Sequence, residues 1–139
     1  MSNKEKIVLV FGTFDGLHDG HRFFLTEARK LGDRLIASVA TDEIVERIKK
    51  QKPVHALAPR ITALMKSGLV DEAISGDTEL GGWSALGRCK PSVVAVGYDQ
   101  LMLKERLSVY IQDHNLGTVI ETIRAHEPDR FHSRLLRRK

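Results

Sequence analysis

His18 and His21 stand three residues apart in the stretch Gly12-Thr13-Phe14-Asp15-Gly16-Leu17-His18-Asp19-Gly20-His21. An imidazole donates a hydrogen bond or carries a proton near neutral pH, which suits it to charge developing on a phosphoryl group. The stretch follows Ile7-Val8-Leu9-Val10-Phe11, an apolar, β-branched run that reads as a buried parallel strand. The glycines after it mark a tight loop, and the loop delivers both histidines to the start of an amphipathic helix. Backbone N–H groups at a helix N-terminus favour an anion, so the arrangement points to a phosphate site and to chemistry on a nucleotide. Such transfer relies on positioning and electrostatics and requires no nucleophile from the protein.

Competing readings are weaker. Two histidines at i, i+3 can share a metal, yet no third soft ligand has an evident place beside them. Cys89 is the single cysteine, which excludes an intramolecular disulfide and a cysteine-based zinc cluster. Asp15 reads as a carboxylate that orients the loop by accepting backbone N–H groups, not as a base. Lys50 and Lys52, with Arg60, form a second basic cluster, and spacing alone does not decide among Lys49, Lys50 and Lys52.

The elements that must position these groups alternate along the chain. Strands are expected over residues 6–12, 35–40, 70–74, 92–96 and 118–123. The helix from the double-histidine loop stops near Gly32, and Thr41-Asp42 caps the next one through Ile44, Val45 and Ile48. Pro59 sits where a third helix could begin. A weak helix follows around Trp83–Leu86, a longer one covers 101–114, and the tail from Asp129 has a helical pattern. Strands separated by helices call for a doubly wound parallel sheet of about five strands, a Rossmann-like α/β domain with ligands outside the carboxyl ends of its strands. Both the Gly12–His21 loop and the Gly97-Tyr98-Asp99-Gln100 turn fall at such ends, and Asp99 could serve there as an Asx-type cap.

With 139 residues, no internal repeat and no linker, the chain reads as one domain over 1–139. No apolar run approaches the roughly 20 residues that cross a bilayer, and the first six residues leave no room for a signal peptide, so a cytoplasmic protein with no membrane partner is expected. The net charge of +4 comes partly from Arg134, Arg137, Arg138 and Lys139 and fits a polyanionic ligand. Aromatic residues make up 6% and none interleaves with that cluster, which weighs against nucleic acid as a partner.

The Thr13-Phe14-Asp15 and His18-Asp19-Gly20-His21 segments resemble the HxGH signature of the nucleotidyltransferase superfamily, in its cytidylyltransferase-like branch. Val96-Gly97-Tyr98-Asp99-Gln100 and Ser67-Gly68-Leu69-Val70-Asp71-Glu72-Ala73-Ile74-Ser75-Gly76-Asp77 are similar to archaeal-type FAD synthetases. The resemblance implies that the loop, through Thr13, Phe14, His18, Asp19, Gly20 and His21, binds a nucleoside triphosphate. It also implies that His18 and His21 stabilise the transition state at the α-phosphate. It gives Asp99 the nucleoside, on ribose or base. A lysine after the second strand's helix, taken as Lys50, and an arginine further on would face the substrate phosphates. Near the C-terminus Arg124 and then Phe131-His132-Ser133-Arg134 occupy the place of an arginine and a Ser/Thr-rich helix start that touch the triphosphate; Ser133 is the hydroxyl that survives. The implied activity is adenylyl transfer from ATP to FMN, giving FAD and pyrophosphate, with a divalent ion, Mg²⁺, on the triphosphate oxygens and a homodimer as the assembly. Cytidylyl transfer from CTP to glycerol 3-phosphate or a similar phosphorylated alcohol is the alternative, and a nucleotide-binding module without turnover is the third. An FMN acceptor requires an aromatic slot that pattern reading cannot locate.

Overall fold

A computed structural model of the chain describes residues 5–79 and 83–125. The elements in chain order are β1 Ile7–Gly12, α1 Asp19–Arg29, β2 Arg34–Val39, α2 Asp42–Lys49 and α3 Leu57–Ser67, followed by β3 Glu72–Ser75, α4 Ser84–Cys89, β4 Val93–Gly97, α5 Leu101–Asp113 and β5 Val119–Ile123. All strands pair in parallel, in the order β3-β2-β1-β4-β5. The expected doubly wound α/β sheet is therefore present, and the strand order reverses between β1 and β4. That reversal opens a crevice at the carboxyl ends of these two strands.

Side chains alternate across the sheet, so the two faces build separate cores. On one face Val8, Val10, Leu35, Ala37 and Ala95 pack with Leu25 and Ala28 of α1 and Leu64 of α3. On the other, Leu9, Ile36, Val94 and Val96 pack with Ala85 and Leu86 of α4 and Leu107 and Ile111 of α5. Burial on both faces explains why the inner strands are continuously apolar, each fully buried aliphatic contributing roughly 1.5–3 kcal/mol.

Helix ends follow the sequence with small displacements; α4, expected around Trp83–Leu86, runs on to Cys89. Thr41 Oγ1 accepts from the Ile44 N–H, 3.3 Å away, and caps α2 as expected. Helix α3 begins at Leu57, two residues ahead of Pro59, with no side-chain cap on Ala56. Proline is tolerated there because the first-turn N–H groups have no partner inside the helix. The helical pattern expected from Asp129 lies outside the described residues. Among these, no helix is long and apolar enough to cross a membrane.

Candidate active site

The two histidines hold each other at the start of α1. His18 is the N-cap, and its Nδ1 accepts from the Gly20 N–H at 3.0 Å and the His21 N–H at 3.4 Å. His21 Nδ1 in turn accepts from the His18 N–H at 3.3 Å, closing a reciprocal capping box built from imidazoles. The rings stack with centroids 3.8 Å apart. With Nδ1 engaged as an acceptor, the proton of each neutral ring belongs on Nε2. Partial burial, the neighbouring His18 and the nearby Lys49 hold the His21 imidazole below its ordinary range, against an opposing pull from the Gly16 carbonyl. His21 is thus a neutral donor at pH 7.

Glycine at position 20 is a packing requirement. A Cβ there would stand 2.9 Å from His18 Cε1 and 3.1 Å from its Nδ1, displacing the ring from the helix start. Gly12 is equally constrained, since a Cβ would meet the Phe14 ring at 2.8 Å. Phe14 is buried and left-handed at φ 52°, and its ring tilts against His21 at 5.6 Å.

A cavity of about 640 Å³ lies at the reversal point, and Thr13, Phe14, His18, Gly20 and His21 line it. Asp99 reaches it from the end of β4 and Arg124 from the end of β5. The Arg124 guanidinium stands 4.8 Å above the Phe23 ring. Asp99 makes no hydrogen bond or ion pair among the described residues, and the N-cap of α5 is Gln100. The capping role open to Asp99 in sequence is therefore not used, and its carboxylate remains available to a ligand. Gln100 spans the crevice instead. Its Oε1 accepts from the Gly97 N–H at 2.7 Å and its Nε2 donates to the Phe11 carbonyl at 3.1 Å, joining the ends of β4 and β1.

Three expected positions stand as follows in the fold. Lys49, not Lys50, lines the cavity. Lys50 is the left-handed C-cap of α2, at φ 64°, where the chain turns away. Asp19 is absent from the lining; it occupies the first turn of α1, where a carboxylate favours the helix dipole. Arg60 is turned into the protein. Its side chain has no exposure and donates to the carbonyls of His55 at 2.9 Å, Thr13 at 3.0 Å and Ala40 at 2.7 Å, and to Asp42 at 2.6 Å. It ties the loop after β1 to the end of β2. Ser133 lies outside the described residues.

Asp15 orients the loop, as the sequence suggests, by gripping a distant segment. Its carboxylate accepts from the N–H groups of Val54 at 2.6 Å and His55 at 2.9 Å. Partial burial alone would raise its pKa; the His55 side chain and the two N–H groups outweigh this and hold it below the usual carboxylate range.

A second cavity, about 280 Å³ and mainly apolar, lies under the carboxyl ends of β2 and β3. Phe11 and Trp83 wall it, their rings edge to face at 5.4 Å, and Ser38, Ile44 and Ile48 complete much of the lining. The two cavities meet at Phe11, Gly12, Thr13 and Gln100. Sequence reasoning did not locate this slot and gave Gln100 no role beyond its place in the turn; the signals for the slot were a lone tryptophan and a serine inside an apolar strand.

A parallel sheet reversing at paired, helix-capping histidines, with cations and an unengaged carboxylate around one crevice, defines a nucleotidyltransferase. The chain belongs to the cytidylyltransferase-like family, whose pattern matches residues 9–137. It is 35% identical over 113 residues to the FAD synthase of Thermococcus onnurineus, covering 81% of this chain and 75% of that one. Identity to the FAD synthase of Methanosarcina barkeri is 41% over 100 residues, 72% of this chain and 70% of the relative. Among solved structures, a lipopolysaccharide core biosynthesis protein of Thermoplasma volcanium superposes with a TM-score of 0.74 at 30% identity, covering 88% of this chain and 98% of that one. The pantoate-beta-alanine ligase of Francisella tularensis shares the fold, with a TM-score of 0.65 at 15% identity over 93% of this chain and 63% of its own.

Proposed function

We propose that this enzyme transfers AMP from ATP to FMN, giving FAD and pyrophosphate. The carrying observation is the junction of two unlike cavities at Thr13: one polar, with paired imidazoles and cations, the other apolar and walled by Trp83 and Phe11. A phosphate attached to a flat apolar ring system suits that junction, and the FAD synthases similar to this chain support the reading. A small polar acceptor such as glycerol 3-phosphate would leave the aromatic slot unfilled.

In this reading a phosphate oxygen of FMN attacks the α-phosphorus of ATP in line. The bond from that phosphorus to the α,β-bridging oxygen breaks, and pyrophosphate leaves. His18 and His21 donate hydrogen bonds to oxygens that gain charge, Lys49 and Arg124 offset the triphosphate, and Asp99 accepts from the nucleoside. Thr13, Phe14 and Gly20 let backbone approach the phosphates. The described residues hold no group of three or more His, Cys, Asp or Glu fit to keep a metal ion. Mg²⁺, when bound with the nucleotide, would offset charge on the triphosphate oxygens. A cytoplasmic homodimer completes the proposal, since small enzymes of the family it resembles are commonly dimers.

The test is direct. Purified protein with Mg²⁺, ATP and FMN yields FAD, measured by chromatography, with equimolar pyrophosphate, whereas CTP with glycerol 3-phosphate yields neither product. Pyrophosphate release only from the second pair would reject the proposal.

A further inference from the structure

Ser38 is a polar residue in an otherwise apolar strand, on the same sheet face as Ile36. It is 4% exposed and lines the aromatic slot, and its hydroxyl has no hydrogen-bond partner among the described residues. A buried hydroxyl without a partner is unfavourable, so one retained beside a cavity is a donor or acceptor awaiting a ligand. The neighbouring backbone keeps the approach to it open. A Cβ at Gly76 would stand 3.3 Å from Ser38 Oγ and 3.2 Å from the Val39 carbonyl, although nothing in the φ of Gly76 demands glycine. Gly76 also lines the slot. By contrast, the carboxylate of Asp77 in the same lining is already engaged by the Ser84 N–H at 2.9 Å.

We propose that Ser38 sets acceptor specificity: its Oγ hydrogen-bonds a heteroatom on the edge of the flavin ring system, while Trp83 and Phe11 cover the apolar part of that ring and Gly76 leaves the hydroxyl accessible. This rests on FMN as the acceptor. A site that bonds a polar ring edge discriminates against apolar or ring-free acceptors, because they leave the buried hydroxyl unpaired.

Calorimetric titrations of FMN and of ATP into wild type, Ser38→Ala and Gly76→Ala decide the matter, together with urea melts of the ligand-free proteins. Ser38→Ala should weaken FMN roughly three- to ten-fold, the worth of one hydrogen bond. ATP affinity should not move, and ligand-free stability should stay level or rise because an unbonded hydroxyl has gone. Gly76→Ala should weaken FMN as well, by crowding the same atom. Ser38→Ala that binds FMN as wild type does, or that loses ATP affinity or stability in parallel, overturns the assignment of Ser38 and leaves the FMN reading standing. Wild type that neither binds FMN nor forms FAD removes that reading, and this proposal with it.

Discussion

Asp15 and His55, 40 residues apart in the chain, meet twice: Asp15 Oδ1 lies 2.9 Å from the His55 backbone N and 2.9 Å from its Nδ1. The contact binds the histidine loop to the segment that follows α2, the helix whose last residue, Lys49, lines the cavity. Loop and lysine are thereby set relative to one another before any nucleotide arrives, which is how a site without a protein nucleophile gains rate.

Asp15→Ala should accordingly lower stability by about 1–2 kcal/mol, since it strips acceptors from partly exposed N–H groups. The KM for ATP should rise more than that for FMN. Urea denaturation and initial-rate kinetics at varied ATP check both effects; an unchanged KM for ATP counts against the clamp.

His18 serves as cap and as donor, and the two roles can be separated. Asparagine caps a helix as well as most residues, so His18→Asn should fold with near wild-type stability while turnover falls roughly 10²–10³-fold with loss of the Nε2 donor. His18→Ala should lose similar turnover and a further ~1 kcal/mol of stability. Pyrophosphate release paired with thermal melts distinguishes them. An asparagine variant with full turnover would show that His18 is only a cap.

Lys49 and Lys50 should behave oppositely. Lys49→Ala should raise the KM for ATP and reduce its salt dependence, since a cation leaves the cavity lining. Lys50→Gly should leave ATP kinetics unaltered and stabilise the fold by up to about 1 kcal/mol, by relieving a left-handed lysine. Kinetics at two ionic strengths and a chemical melt suffice to tell the lysines apart.

Arg60→Met removes a fully buried guanidinium and abandons the acceptors it joins, Asp42 among them. A loss of about 3–5 kcal/mol is expected, and Arg60→Lys should recover only part of it because an ammonium cannot match the fork. Circular-dichroism melts of the two variants measure the difference. If either matched wild type, the guanidinium would not be the tie between loop and sheet.

Acid should destabilise the fold through His21. The His21 pKa is lower when folded than when unfolded, so in the window between the two the unfolded chain binds more protons. The stabilisation is complete above the ordinary imidazole pKa and is lost as pH falls below it. Wild type should show a decline in Tm across this window that His21→Asn lacks; identical Tm–pH curves would contradict the lowered pKa.

Much of this architecture is legible in one dimension. The glycine-ended apolar run before His18, the i, i+3 histidines and Gly20 are all local, and local spacing sets a strand, a tight loop and a capped helix. Lys49 and Lys50 were not separable, because one residue of helix turns the side chain by about 100°, and the end of α2 falls between them. The family resemblance implies a phosphate-facing arginine after α2, whereas Arg60 is a buried tie in the fold. Its acceptors at positions 13, 40, 42 and 55 converge only when separate loops pack.

From the order of residues alone came the parallel α/β class, the glycine-rich loop after β1 and the paired imidazoles, since each depends on neighbours within a few positions. Which lysine enters the crevice, what Arg60 and Gln100 hold together, and the slot between Phe11, Ser38 and Trp83 were decided by the packed sheet. Those groups come from strands and loops far apart in the chain, and hydrophobic burial on both faces of the sheet is what brings their ends to one edge.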